Sequence, residues 1–171
     1  MKNVLMGLLF IGMTSMGYSQ YDPMNGNIEN DGFDFVFANL DYLDGVQGKA
    51  TPDQVRFLEG IAADWDVSKV SQFDGRSELF RVVFKSNKGQ INVAFDGEGK
   101  IKLATEKFKN VKMPAHIQQL IKEKYPQWKP VENLYLVTYR DGRKTTKTLK
   151  VKLEKGNNTK HLKVTDSGLL L

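Results

Sequence analysis

The chain has 171 residues, with 25 lysines and arginines against 20 aspartates and glutamates, and it contains no cysteine. This composition is typical of one globular domain with a real core, and it excludes disulfides and thiolate metal sites. The charge is uneven, because residues 21–50 carry six acids and one base whereas residues 51–171 carry 23 bases and 14 acids, a net of +9. This asymmetry favours a nucleic-acid partner or, as the alternative, an acidic N-terminal segment that lies over or near a basic surface of the same molecule.

The N-terminus has the pattern of an export signal. Lys2 precedes an apolar run over residues 4–12 that is too short to span a bilayer, and Gly17 and Ser19 give the small-x-small pattern of a signal-peptidase site. We expect residues 1–19 to be a signal peptide, so that the protein is periplasmic or secreted and has no transmembrane segment after cleavage. An uncleaved anchor is the alternative, which the length of the run disfavours.

Residues 20–50 are rich in Asn, Asp and Gly, and we expect an acidic N-terminal segment that is partly flexible. Its apolar piece, FDFVFANL, has phenylalanines at alternate positions (Phe33, Phe35 and Phe37). Such alternation is typical of a half-buried strand, but the same letters also permit a helical turn. Both alternatives stay open.

From residue 51 onward the pattern becomes regular. TPDQVRFLEGIAADW predicts a helix with Thr51 as its N-cap and Pro52 in its first turn. Four strands separated by turns follow: VSKVSQF, SELFRVVF, QINVAF and KIKLATEKF. A second helix, MPAHIQQLIKEKYP, precedes four more predicted strands: PVENLYLVTY, KTTKTLKVKLEK, TKHLKVT and a final LLL. In that last strand we expect Leu169 or Leu171 to face the core.

The two halves repeat three landmarks in the same order, which are a proline at the helix start, a tryptophan after the helix and a glycine before the last strand (Pro52 and Pro114, Trp65 and Trp128, Gly99 and Gly168). This order predicts an internal duplication. We therefore expect an α+β fold of two tandem helix-plus-four-stranded antiparallel meander repeats, over residues 51–107 and 108–171, with the helices packed on one sheet face. The tryptophans are expected to seal the core rather than to form a ligand platform.

Three stretches carry a resemblance to a known family: INVAFDGEGKIK, VKMPAHIQQLIKEKYPQWK and HLKVTDSGLL. They resemble exported PepSY-like proteins of the Bacteroidetes type, and the tandem arrangement is similar to the beta-lactamase inhibitor protein. The resemblance covers residues 51–171 and brings no catalytic residues with it. It implies a non-enzymatic binding module, which would inhibit or modulate an envelope hydrolase or peptidase.

Signatures of catalysis and metal binding are missing from the sequence. With no cysteine and only His116 and His161, neither a cysteine nucleophile nor a His-rich zinc site can be built, and both histidines are expected at the surface. The EF-hand spacing fails wherever acids cluster, which leaves only a looser calcium site in the N-terminal segment as an alternative. We predict a protein that is not an enzyme and that needs no cofactor and no metal.

A basic stretch is the best candidate for a binding surface. Residues 140–163 carry nine bases and two acids, and the lysines of the predicted strand KTTKTLKVKLEK alternate with leucine and valine. We predict a partner-binding face formed by Tyr135, Tyr139, Lys147, Lys150, Lys152 and Lys163. The expected partner is an envelope protein, and the alternative is an envelope-associated structural protein that binds anionic glycan or lipid. Export argues against nucleic acid. The lysines could also serve only to keep a one-sided sheet soluble.

Overall fold

The computed structural model of the protein describes residues 38–76 and 78–171. In these ranges there are three α-helices, which are α1 (Leu40–Val46), α2 (Asp53–Asp64) and α3 (Ala115–Lys124). The six strands are β1 (Phe80–Lys85), β2 (Gly89–Phe95), β3 (Ile101–Lys109), β4 (Lys129–Arg140), β5 (Thr146–Lys155) and β6 (Asn158–Thr165). The expected signal peptide over residues 1–19, and the two alternatives for Phe33, Phe35 and Phe37, lie outside the described residues.

The six strands form one antiparallel sheet, in which each strand pairs with the next in the order β1-β2-β3-β4-β5-β6. Short turns join the strands within β1–β3 and within β4–β6, whereas α3 lies between β3 and β4 in the chain. The α+β class and the antiparallel sheet are therefore confirmed. No helix within the described ranges is long and apolar enough to cross a membrane.

The core lies between one face of the sheet and the helices. On β2 the side chains of Ile91, Val93 and Phe95 are at most 1% exposed, as alternation on a one-sided sheet requires. The same buried face continues across the sheet, since Val93 of β2 lies opposite Ala104 of β3, and Ala104 lies opposite Tyr139 of β4. Helix α2 packs on β1 and β2, and α1 packs on β4 and on α2. Helix α3 buries Ile117 and Ile121 in the same core cluster.

The first half has three strands rather than the predicted four. The stretch VSKVSQF contains a 3₁₀ helix at Val67–Lys69 instead of a strand, and the Asp66 side chain caps it by accepting from Ser68 N at 3.1 Å. Val67, Val70 and Phe73 recur every third residue, which is the period of a 3₁₀ turn and not of a strand. The predicted strand at VSKVSQF is therefore wrong, because a spacing of three residues was taken for the alternation of a strand.

The predicted last strand is reduced to one bridge between Val164 and Leu170. Leu170 packs against the core, whereas Leu169 and Leu171 are 61% and 63% exposed, so the expected inward residue was the wrong one. The turn at Gly168 determines which leucine faces the core, because Thr165 N donates to Leu169 O at 2.9 Å. Each half thus has a helix followed by three strands.

Candidate functional site

The six residues predicted to form one binding face lie on two different faces of the sheet. Lys150 and Lys163 lie directly opposite each other on β5 and β6, and Lys152 is two positions further along β5. These three belong to the face that none of the described helices covers. Tyr135 and Tyr139 lie on the helix-covered face, where each is only 5% exposed.

The burial of the two tyrosines follows from the register of β4. Tyr135 lies between Phe108 of β3 and Leu149 of β5, which are both buried. Tyr139 lies opposite Ala104, and its ring meets that of Tyr42 edge-on at 5.3 Å. The prediction that these tyrosines share the polar face is therefore wrong, since both alternating sets of β4 residues are apolar and the larger rings take the covered side.

Lys147 also lies on the helix-covered side of β5. It pairs with Val137, which pairs with the buried Glu106. Together with Thr51, Tyr135 and the Gly48 loop, it lines a cavity of ≈ 250 Å³ beside helix α3. Lys147 therefore does not contribute to the face that carries the other three predicted lysines.

Two lysines of β3 lie on the same uncovered face. One row of the sheet crosses four strands. In it, Lys109 of β3, Leu134 of β4, Lys150 of β5 and Lys163 of β6 lie side by side. In the next row, Lys107 lies opposite Leu136. Neither β3 lysine was among the predicted residues, although Thr105 and Lys107 alternate within KIKLATEKF and Lys109 directly follows it.

Most of these cations have no counter-charge. Within the described ranges, Lys107, Lys109, Lys150 and Lys163 make no ion pair, whereas Lys152 lies 2.8 Å from the Glu154 carboxylate and 4.0 Å from that of Glu132. The Glu154 carboxylate also raises the pKa of Lys152. We call Lys107, Lys109, Lys150 and Lys163, together with Leu134 and Leu136 between them, the basic face.

The basic face combines charge with an apolar centre. Leu134 and Leu136 are half-buried there although no described helix covers them, since long lysine side chains lay their methylene stems along apolar neighbours. Adjacent strands are about 4.8 Å apart, so the four cations lie within a few strand spacings of one another. Such an array attracts anionic groups and holds them around an apolar contact.

A buried pair of carboxyl groups lies on the other side of the sheet. Glu59 of α2 is fully buried and Glu106 of β3 is 2% exposed. Tyr42 of α1 donates its hydroxyl to Glu106 Oε1 at 2.8 Å. The other three carboxyl oxygens have no donor among the described residues unless one of the two carboxyl groups carries a proton.

Burial controls the protonation of this pair. Burial raises the pKa of Glu106 to about 7, against the opposing influence of Tyr42 and Glu59. Burial, followed by the neighbouring Glu106 carboxylate, holds the pKa of Glu59 well above its usual value. Lys147 acts in the opposite direction on both groups. We infer that Glu59 keeps its proton at neutral pH and donates it to Glu106, which supplies the missing donor.

Sequence reasoning overlooked the pair, although a signal was present. Glu59 interrupts the apolar stripe of α2 beside Leu58 and Ala62, and Glu106 alternates with Ala104 and Phe108 on β3. An acid in the middle of a core-facing stripe needs a partner, and this requirement could have identified both residues.

The aromatic and imidazole side chains are placed mainly by packing. Trp128 packs against the core and Lys160 Nζ lies 5.5 Å from its ring centre. Trp65 meets Phe84 edge-on at 5.6 Å but is 41% exposed, so it covers the core only in part. His116 and His161 are exposed, as expected from the sequence. Within the described ranges, no cluster of three or more Asp, Glu, His or Cys side chains is arranged to hold a metal ion.

Comparison of the chain with protein-family models, with curated proteins and with solved structures gives no match in any of the three. The resemblance to PepSY-like proteins therefore stays a prediction that rests on the motifs quoted above.

Proposed function

We propose that the protein is an exported, non-enzymatic binding module whose basic face docks on an acidic surface of an envelope protein. The observation that carries this proposal is the set of four lysines around Leu134 and Leu136, none of which makes an ion pair with any described residue. The expected export signal places the protein in the periplasm or outside the cell, where such a partner would be met.

The arrangement suits a protein partner better than a purely solubilising role. Surface lysines that only keep a sheet soluble need no common row and no apolar centre. Here Lys109, Lys150 and Lys163 share one row with Leu134. Interfaces take most of their affinity from a few well-packed central contacts, while complementary charge around them speeds association and selects the partner. The basic face provides an apolar centre for such contacts and positive charge around it.

We further propose that the two halves are PepSY-like repeats over residues 51–107 and 108–171, each with three strands in the shared sheet. The turn that follows β2 in the first half and the turn that follows β6 in the second half support a duplication. Asp96 N donates to Lys100 O and Gly99 N donates to Asp96 O, at 2.9 and 3.1 Å. The second half repeats this pattern 69 residues later at 2.9 and 3.0 Å, and Gly99 and Gly168 both have positive φ, at 80° and 87°.

The helix starts support the same proposal. Pro52 and Pro114 cap α2 and α3 with nearly the same backbone angles, which are φ −64° and ψ 143° in the first case and φ −56° and ψ 142° in the second. A PepSY-like origin would make an inhibitor or modulator of an envelope hydrolase or peptidase the favoured role. This role rests on analogy at the level of the fold.

A second candidate function is attachment to an anionic glycan or lipid surface as a structural protein of the envelope. The net charge of +9 over residues 51–171 favours it, because a polyanion requires only accumulated positive charge. The two functions differ in what they require of the lysines. A protein partner requires those of the basic face, whereas a polyanion responds to any comparable loss of positive charge.

The deciding experiment is a pull-down from native envelope with the full chain and two charge-matched variants. One variant carries Lys150→Glu and Lys163→Glu on the basic face, and the control carries Lys122→Glu and Lys124→Glu on the exposed side of α3. We expect a stoichiometric partner that is lost only with the first variant, while both variants keep the wild-type melting temperature. Capture that survives in the first variant would refute the proposed face, and equal loss in both would favour the polyanion.

A further inference from the structure

The buried carboxyl pair joins two elements that are distant in sequence. Glu59 projects from the buried side of α2, and Glu106 lies on β3 between Ile91 of β2 and Val137 of β4. Neither residue belongs to the basic face, which lies on the opposite side of the sheet. We therefore consider how these two ionisable groups affect the attachment of the helices to the sheet.

The groups around the pair come from every element packed against it. Tyr42 of α1 donates to Glu106, and β2 contributes only apolar side chains on this face. The Arg56 guanidinium on α2 is directed to Gly48 O at 2.8 Å. The other titratable or polar neighbours are Gln47 after α1, Tyr135 and Tyr139 of β4, Lys147 of β5, and Asp166 beyond β6. From α3, the nearby cavity is lined by Pro114 and Ile117, which do not titrate.

We propose that Glu59 and Glu106 form a proton-dependent clamp, which ties α1 and α2 to the sheet while the pair shares one proton and loosens them when that proton is lost. With the proton present, Glu59 donates to Glu106, and Glu106 also accepts from Tyr42, so all three elements are joined by hydrogen bonds. The clamp is independent of the proposed binding function.

Loss of the proton leaves two carboxylates facing each other inside the core. Lys147 is the cation that favours their charged forms, and it cannot neutralise both. Burying a charge without full compensation costs several kcal/mol. Water can reach Glu59 only if α1, α2 or the loop between them moves away from β3. The free energy of this opening therefore decreases as the pH rises.

Helices α1 and α2 are the elements expected to respond. Helix α1 has seven residues, which is too short for a helix to be stable without tertiary contacts, and its buried side is formed by Tyr42, Leu43 and Val46. The half formed by α3, β5 and β6 has no comparable buried carboxyl in its core. The response should therefore be confined to one half of the molecule. Burial and the neighbouring Glu106 carboxylate hold the pKa of Glu59 well above its usual value, so we expect the shared proton to be lost above the range in which ordinary glutamates titrate.

The experiment combines two readouts on the full chain. The first is the titration of glutamate side-chain carboxyl signals by ¹³C NMR, in which we expect the signals of Glu59 and Glu106 to titrate above those of the remaining glutamates. The second is amide hydrogen exchange between pH 6 and pH 9, corrected for the intrinsic rate. Protection of α1 and α2 should fall by up to about tenfold per pH unit until the buried pair has lost its last proton and then level off, whereas α3, β5 and β6 keep their protection.

Two variants make the proposal falsifiable. Glu59→Gln keeps a donor for Glu106 and cannot ionise, so protection of α1 and α2 should stop falling once Glu106 has ionised, above about pH 7. Glu106→Gln removes the carboxylate that helps to raise the pKa of Glu59, so protection should level off at a lower pH than in the wild type. Glu78→Gln removes an exposed carboxyl and should retain the wild-type response. Glutamates that all titrate in the ordinary range, or wild-type protection that stays constant up to pH 9, would overturn the clamp.

Discussion

The buried carboxyl of Glu106 should make the protein less stable as the pH rises from about 4.5 to about 7. Burial raises the pKa of this group from 4.5 to about 7. In this window the folded state therefore holds a proton that the unfolded chain has released. Stability is full below the unfolded pKa and declines as the pH rises through the folded pKa. A shift of this size corresponds to about 3 kcal/mol at about 1.4 kcal/mol per pH unit.

The perturbation is Glu106→Gln, which keeps an oxygen to accept from Tyr42 but cannot ionise. We expect the variant and the wild type to have similar free energies of unfolding near pH 5. By pH 8 the variant should be more stable, by up to about 3 kcal/mol, because it does not have to bury this charge. Urea titrations followed by the fluorescence of Trp65 and Trp128 measure the difference.

Taking the difference between variant and wild type removes the contributions of the titrating groups that Glu106 does not influence; Glu59, whose pKa Glu106 raises, is not among them. The comparison stays above pH 5 because the Lys102 ammonium lowers the pKa of Asp141, which therefore affects stability only in more acidic solution. Two curves that remain parallel from pH 5 to pH 8 would show that Glu106 ionises as easily in the fold as in the unfolded chain. The reasoning about the buried pair would then fail.

Three further predictions concern the stability of the fold, measured as the midpoint of urea unfolding. Gly89→Ala would place a Cβ 2.8 Å from the Phe108 Cα and against the backbone of β3, so we expect a loss of about 2 kcal/mol or more. Gly60→Ala is its control, because a Cβ on α2 meets nothing within 4 Å and should stabilise by about 0.5–1 kcal/mol. Asn39→Ala removes the side chain that accepts from the first amide of β3 at 2.6 Å, which should cost about 1–2 kcal/mol. Deletion of residues 168–171 should lower the midpoint by removing the terminal bridge to β6, and an unchanged midpoint would contradict a structural role for this bridge.

The regular elements could be predicted because their periodicity is strong and local. Helix α2 follows a proline and repeats apolar residues at three-to-four spacing, and β2 alternates strictly, so pattern alone identified both. The predicted strand at VSKVSQF failed because a spacing of three residues was taken for alternation. Short apolar runs are where these two periods are hardest to distinguish.

The orientation of β4 could not be predicted from its own residues. Leu134 and Leu136 form one apolar set, while Tyr135, Val137 and Tyr139 form another, so the sequence offers two faces of similar hydropathy. The choice depends on neighbouring strands, because β3 places Ala104 opposite Tyr139 and leaves room for the ring. Long-range packing of this kind overrides local pattern.

The candidate sites depended in the same way on contacts between distant segments. The lysines of β5 and β6 were recognised because they alternate within short stretches, but the β3 lysines join them only through pairing across β4. Glu59 and Glu106 are on separate elements, and nothing local to either residue indicates that their carboxyl groups meet. The basic face was therefore half predicted, and the carboxyl pair was not predicted at all.

The pairing of β3 with β4 limits how far the two halves can exist as separate fragments. Seven residue pairs, from Leu103 opposite Arg140 to Lys109 opposite Leu134, hold the halves together in the middle of one continuous sheet. A fragment beginning after β3 would turn β4 into an edge strand with a row of unpaired backbone groups beside Tyr135 and Tyr139, and such edges promote aggregation. If the chain arose by doubling of a smaller ancestor, that ancestor had to shield the same edge, and pairing with a second copy of itself is the simplest way to do so.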